Sequence, residues 1–223
     1  MNHMNMNSHR PERSKQDVRR SKRLSWLLRH GAPEAGIHMD PAGWVPIEEV
    51  LRSLGISRSK LDELVRTNSK RRLQVVDGRI RCCQGHSLRS GVSSEALEAS
   101  WAVYDGDENV WHGTSAGVIP AIAREGVLPQ SRTHVHLAPG LSSVVGKRAQ
   151  VDVMIGVDPR LVRGAGQTIW RAPNGVLLAR RIDPAHIVEL RAMTRRTRAQ
   201  EAELRSILVG PGVRSVDGGF GLA

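Results

Sequence analysis

Residues 73–83 read L-Q-V-V-D-G-R-I-R-C-C, two short β-prone runs on either side of Asp77-Gly78. A two-residue hairpin turn needs positive φ at both central positions, which Asp-Gly supplies at little strain, so this stretch predicts a β-hairpin. Three helical patterns lead into it. Arg20 to His30 carries Leu24, Leu27 and Leu28 at helical spacing and meets Gly31 as the expected C-cap. After a loop with Pro41 and Gly43, residues 46–55 (PIEEVLRSLG) place Pro46 at a helix start, Val50, Leu51 and Leu54 on the apolar stripe, and Gly55 at the end. Residues 57–68 (SRSKLDELVRTN) follow, with Ser57 as N-cap and Leu61, Leu64 and Val65 on one face. Three short helices and a hairpin describe a winged-helix lobe, assigned to residues 14–91.

Outward from that lobe, residues 88–100 are Ser- and Gly-containing and pass from a linker into a short helix. Beyond the boundary near residue 92 come apolar runs of strand length at 110–112, 134–137, 151–157, 167–170, 175–178 and 187–190, with a helix between Ser115 and Gly126. Strands outnumber helices, so the second lobe, 92–209, is expected to be α+β with a mainly antiparallel or mixed sheet. The stretch 193–209 reads as one closing helix with Ala202, Leu204 and Leu208 as its apolar residues. Residues 1–13 are polar and Met/Asn-rich and 210–223 are Gly-rich, so both are expected to be disordered tails.

The 223 residues carry a formal net charge of +11, which calls for an anionic partner. Residues 1–90 hold 18 Lys+Arg against 9 Asp+Glu, so 9 of the 11 excess charges lie in the front lobe. Cys82 and Cys83 are adjacent in a strand, where neighbouring side chains point to opposite faces, so no disulfide framework is expected. No apolar run has the length of a membrane span and the N-terminus lacks the apolar core of a signal peptide; a cytoplasmic location is expected.

Four constellations can carry chemistry. Arg29-His30 stands at a helix C-terminus, where basic residues complement the dipole, yet with Arg81 on the hairpin it would also make a phosphate site, since guanidinium forks bind phosphate bidentately. His112-Gly113-Thr114 runs from a strand toward a helix, and its glycine lets a ligand approach the backbone. Arg132, His134 and His136 alternate onto one strand face; without a nearby Cys or carboxylate cluster this favours an anion or cofactor over a metal. Gln84-Gly85-His86-Ser87, after the hairpin, reads equally well as a polar exit from the strand.

Taken together, LSWLLRHG (24–31), G-W-V (43–45), N-S-K-R-R-L (68–73), I-R-C-C-Q-G-H-S (80–87), W-H-G-T (111–114), R-T-H-V-H-L-A (132–138) and N-G-V (174–176) resemble, in order, the NAD-dependent RNA 2′-phosphotransferase family. The resemblance implies a winged-helix lobe that holds RNA and a C-terminal lobe of the ADP-ribosyltransferase fold that holds NAD+. It implies a catalytic tetrad at Arg29, His30, Arg81 and Arg132, and cofactor contacts at His112, Gly113, Thr114 and His136. The implied reaction removes an internal RNA 2′-phosphate by transfer to NAD+, with tRNA a candidate substrate. It passes through a 2′-phospho-ADP-ribosylated RNA and gives 2′-hydroxyl RNA, ADP-ribose 1″,2″-cyclic phosphate and nicotinamide. NAD+ is then a co-substrate, no metal is called for, and a monomer is expected. A phosphate is an anionic nucleophile at neutral pH and needs no general base, in keeping with the absence of a glutamate from 173–179 (PNGVLLA). Departures from the family pattern are Leu73, often Phe, and Ala-Arg-Arg at 179–181. Two other classes remain open: an ADP-ribosyltransferase that caps terminal phosphates of RNA or DNA, and a winged-helix regulator with a ligand lobe.

Overall fold

The computed structural model describes residues 14–146 and 150–209; the two expected tails lie outside the described residues. Helix α1 spans Lys15–Trp26 and opens on Ser14, whose hydroxyl accepts from the Asp17 N–H. Its end departs from the sequence reading. The chain widens into a π turn, Leu27–Gly31, and continues through Ala32 in the right-handed region, so Gly31 is not a left-handed C-cap. An added Cβ there would meet the Trp26 ring, so a larger residue at 31 would displace that half-exposed indole.

Strand β1 (Val45–Pro46) leads directly into α2 (Ile47–Leu54), which Gly55 terminates at φ 60°. Helix α3 (Arg58–Arg66) starts where Ser57 accepts from the Lys60 N–H. Strands β2 (Leu73–Val76) and β3 (Arg79–Cys82) form the expected hairpin, with Asp77 at φ 46° and Gly78 at φ 71°. Two-residue β1 gives no alternation to read, yet it pairs with β3 and completes a sheet ordered β1-β3-β2. Leu24, Leu28, Ile47, Val50, Leu61, Leu64 and Ile80 fill the core beneath it.

The rest of the described chain comprises α4 (Ser94–Glu98), β4 (Ala102–Val103), β5 (Val110–Thr114), α5 (Ile119–Glu125), β6 (Val135–Leu137), β7 (Val153–Val157), α6 (Pro159–Gly164), β8 (Trp170–Arg171), β9 (Leu177–Ala179), β10 (Ile187–Ala192), α7 (Arg195–Arg198) and α8 (Glu201–Val209). Its strands make one sheet ordered β10-β7-β5 and another ordered β4-β8-β9-β6. Every pairing between these strands is antiparallel, so the expectation of a mixed sheet in this part of the chain is corrected to two antiparallel ones. The single closing helix is instead two. A capping box between Thr194 and Thr197 starts α7, the chain turns at Ala199, and Ala202 is exposed while Leu204 and Leu208 are buried.

Val110, Val135, Val153, Ile155, Leu177, Leu190 and Leu204 belong to the larger core. A third cluster joins the sequence regions: Cys83, just past β3, packs with Leu97, Trp101, Ala172, Val176 and Leu178. The Trp101 indole N–H donates to the Cys83 carbonyl at 2.9 Å, and the Asn174 amide donates to the Lys70 carbonyl at 3.2 Å. These contacts fix the two sides of the cleft described next. Among the described residues no helix is long and apolar enough to cross a membrane.

Candidate active site

A cleft of about 890 Å³ is lined by Arg29, Lys70, Arg72, Gln84, His112–Thr114, Arg132, His134 and His136, among others. Arg29 reaches it from the π turn after α1, and the Ser87 N–H donates to the Arg29 carbonyl at 3.1 Å. Gly85 sits at φ 89°, and a Cβ there would lie 3.1 Å from the Arg29 guanidinium carbon. The glycine thus lets the guanidinium lie across the backbone.

Gln84 is the hub of the site. Its Oε1 accepts from Arg29 Nη2 at 3.5 Å and faces His136 Nε2 at 2.8 Å. Arg132 Nη1 lies 3.3 Å from His136 Nδ1 and has only protons to offer, so Nδ1 accepts and Nε2 carries the ring proton donated to Gln84. A chain Arg132–His136–Gln84–Arg29 therefore links the two arginines. Burial, then Arg132 and Arg29, holds the His136 pKa well below the ordinary histidine value, which keeps this ring neutral and its tautomer defined.

His30 lies on the same π turn as Arg29 and is half-buried. Burial first, then Arg29 and Arg132, lowers its pKa, so it is a neutral ring at neutral pH. Arg72 lines the cleft just before β2; burial and then the Arg29 charge depress its pKa, as expected of one guanidinium packed near another. Lys70 shows the same pattern, with burial and then Arg72 lowering it.

Arg81 is placed elsewhere. Only 4% exposed, it donates from Nε to Gln74 Oε1 at 2.8 Å and from Nη1 to the Ala42 carbonyl and the Ser100 hydroxyl, each at 3.0 Å. Its guanidinium also stacks 4.4 Å from the Trp44 ring centroid. It does not line the cleft, because its side chain is committed to joining the hairpin, the 42–44 loop and the chain after α4. Of the expected four, Arg29 and Arg132 line the cleft, whereas His30 and Arg81 do not, although the charges of Arg29 and Arg132 reach His30.

The second expected set converges with them. Trp111 exchanges both backbone hydrogen bonds with Ala138, at 2.8 and 2.7 Å. Alternation along β5 turns the amide and carbonyl of Gly113 to that same edge, away from β7. A Cβ at Gly113 would come within 2.8 Å of Val151 and 3.1 Å of Met154. His112 Nδ1 lies 3.1 Å from the His136 carbonyl, which can only accept, so Nδ1 donates. Thr114 closes the strand at the cleft wall.

His134 shares the face of His136 but makes a different contact. Fully buried between Trp101 and Trp170, it holds Glu98 through Nε2 at 2.8 Å. Burial lowers its pKa against the opposing pull of Glu98. Arg180 grips the same Glu98 at 2.7 and 2.8 Å and Glu95 at 2.9 Å, pinning α4 next to β9. Sequence reading singled out neither Arg72 nor Lys70 as chemical groups, though both stand in the quoted N-S-K-R-R-L block, and it left Gln84 undecided. Among the described residues no group of three or more His, Cys, Asp and Glu side chains is placed to hold a metal.

Guanidinium and imidazole groups gathered in one cleft, with Glu125 the sole carboxylate among the described lining residues, define a protein built to handle phosphate-bearing ligands. A family model described as "RNA 2'-phosphotransferase, Tpt1 / KptA family" matches residues 15–181. Human tRNA 2'-phosphotransferase 1 is 36% identical over 183 residues, covering 76% of this chain and 71% of that protein. A probable RNA 2'-phosphotransferase of Burkholderia lata is 32% identical over 195 residues, 83% of this chain and 97% of its own. One from Streptomyces griseus is 34% identical over 187 residues, 77% and 95%. The chain belongs to the RNA 2′-phosphotransferase, Tpt1 / KptA family, and is an enzyme of that family.

Proposed function

We propose that this enzyme removes an internal 2′-phosphate from RNA by transferring it to NAD+, with the RNA held by a winged-helix lobe (14–91) and NAD+ by an ADP-ribosyltransferase-like lobe (92–209). The observation that carries the reading is the convergence of Arg29, Arg72 and Arg132 on one cleft. Like charges brought together at the cost of burial are relieved by an anion bound among them, and a phosphate offers enough oxygens for several forks.

The cleft also suits NAD+. Its volume falls within the roughly 300–1,000 Å³ usual for small-molecule sites, and the Gly113 backbone edge supplies paired amide and carbonyl groups of the kind a carboxamide takes. Bound there, NAD+ would supply an electrophilic ribose carbon and a neighbouring hydroxyl. His112, Gly113 and Thr114 would hold its nicotinamide end, with His136 beside its ribose.

The protein's own groups divide the work. Arg29, Arg72 and Arg132 hold the 2′-phosphate and stabilise the negative charge that grows on its oxygens when the phosphodiester is broken, a contribution of several kcal/mol per donor in a preorganised site. His30, neutral and adjoining Arg29 in the π turn, would accept the proton of the attacking hydroxyl. Gln84 and His136 are positioning residues: their hydrogen bonds fix the forks of Arg29 and Arg132 before substrate arrives. Arg81 supports the hairpin and the 42–44 loop rather than the phosphate.

The test is an oligonucleotide with one internal 2′-phosphate, incubated with and without NAD+ and analysed by charge. Loss of the phosphate only when NAD+ is present is expected. Loss at the same rate without NAD+ would contradict the proposal.

A further inference from the structure

The outer face of α1 carries a charge that nothing in the described structure balances. Lys15, Arg19, Lys22, Arg23 and Trp26 are all exposed. Their spacing of i, i+4, i+7, i+8 and i+11 gathers them within about 100° of arc at 3.6 residues per turn. The helix has one acid, Asp17, which is engaged by Lys60 and Arg20. Lys15, Arg19, Lys22 and Arg23 make no ion pair among the described residues, whereas Arg58, Arg160, Arg163, Arg180 and Arg205 elsewhere do. Like charges at i,i+3 and i,i+4 oppose helix formation, and a polyanion laid along them removes that cost.

The stripe leads somewhere. Trp26, 48% exposed, lies over Gly31 and borders a smaller cavity of about 250 Å³ with Arg23, Glu34 and Ser53. One turn further along the same chain stand His30 and Arg29, the latter in the wall of the cleft. From Lys15 to Arg29 the rise is about 21 Å at 1.5 Å per residue.

We infer that this face of α1 is a docking track for the RNA strand that flanks the 2′-phosphate, an inference that rests on the function proposed above. Cations spaced along a helix follow a phosphodiester backbone, and one accessible indole at the end nearer the cleft offers a stacking face to an unpaired base. A membrane surface fits less well. The apolar side of α1, with Leu24, is spent in the core, and an interfacial helix needs that side free. Helix α1 alone, with Lys15, Arg19, Arg20, Lys22 and Arg23 against Asp17, supplies 4 of the 9 excess positive charges of residues 1–90.

The test uses the full chain and two RNAs carrying the same internal 2′-phosphate, one of about 20 nucleotides and one of three. Binding of the long RNA is followed by fluorescence anisotropy across a salt series, and turnover of the short one by product analysis with NAD+. The triple variant Arg19→Gln, Lys22→Gln, Arg23→Gln should bind the long RNA at least tenfold more weakly near 0.1 M salt. Its log–log salt slope should fall by about 2, at roughly 0.7 for each single-strand phosphate that is no longer neutralised. Turnover of the trinucleotide should be unchanged, which also shows that the variant folds. Trp26→Ala should weaken binding about fivefold or more and leave the slope alone. The charge-preserving Arg19→Lys, Arg23→Lys variant should keep the wild-type slope. Unchanged affinity and slope in the triple variant would overturn the inference. Wild-type protein that binds the long RNA but never turns over the trinucleotide counts against the proposed function, while the anisotropy series still decides the docking face.

Discussion

Arg72 just before the hairpin and Arg81 on its second strand meet different surroundings. Arg72 lines the cleft near Arg29, whereas Arg81 is buried under Trp44 with three hydrogen bonds inside the protein. The two should therefore fail differently. Arg72→Ala is expected to lower kcat by about 10²–10³-fold, the usual consequence of losing one preorganised donor, with little change in melting temperature. Arg81→Ala should cost about 2–4 kcal/mol of stability, because it strands the Gln74, Ala42 and Ser100 acceptors and leaves a void beside Trp44. Thermal melts and single-turnover rates on the same two variants separate the roles. An Arg72→Ala protein that melts early yet turns over normally would leave no phosphate-binding role for Arg72. This contrast could not be read from the sequence. Both arginines sit in family-like blocks, and which way each points depends on the register of a four-residue strand and on a Trp44 stack formed across 37 positions of chain.

At the level of elements, local chemistry was legible and non-local pairing was not. Ser57, Gly55 and Asp77-Gly78 did in the fold what their backbone preferences require. Strands β1 and β4 have two residues each and no alternation to detect, and they exist because β3 and β8 offer partners. The site residues on β5 and β6 could be named from sequence, but the link between them could not. It runs through the His112 contact to the His136 carbonyl and the Trp111–Ala138 bridge, while Gln84, a polar residue at a strand exit with no periodic signal, ties β6 to Arg29. Gly31 went the other way: the π turn runs through it into a right-handed Ala32, so the C-cap that a glycine after a helix suggests did not form. Gly126 supplies the test at this scale. It ends α5 at φ 78° and ψ −170°, a region open essentially only to glycine, and an added Cβ would overlap the Ile182 carbonyl. Gly126→Ala should destabilise the protein by about 2–4 kcal/mol and loosen the Val127–Ile182 pairing, seen as faster amide exchange at both residues. A melting temperature equal to wild type would show that this turn is not constrained as described.

For the molecule as a whole, the same burial that shapes the cleft makes stability depend on acid. His86 is fully buried with neither ring nitrogen hydrogen-bonded, and burial, then Arg29 and Arg81, pushes its pKa down to about 3. His134 and His136 are lowered too, chiefly by burial. The folded pKa of His86 lies below its unfolded value, so the unfolded chain binds the extra proton; its share of stability is full above about pH 6.5 and falls at about 1.4 kcal/mol per unit as pH drops toward 3, and His134 and His136 act in the same direction. His86→Phe should flatten that decline by one proton's worth in denaturant melts taken between pH 6.5 and 4; an unchanged slope would mean that His86 is not held neutral by the fold. Over the same molecule, cations from the π turn after α1, from the start of β2 and from the approach to β6 meet at one cleft, where their proposed work is to pass a phosphate from RNA to NAD+. The most direct measurement places a radiolabel in the 2′-phosphate of an internal site and follows it through one turnover with NAD+. The label is expected to leave as ADP-ribose 1″,2″-cyclic phosphate, in amounts equal to the nicotinamide released and the 2′-hydroxyl RNA formed. Label recovered as inorganic phosphate, or retained on the RNA while nicotinamide is released, would contradict it.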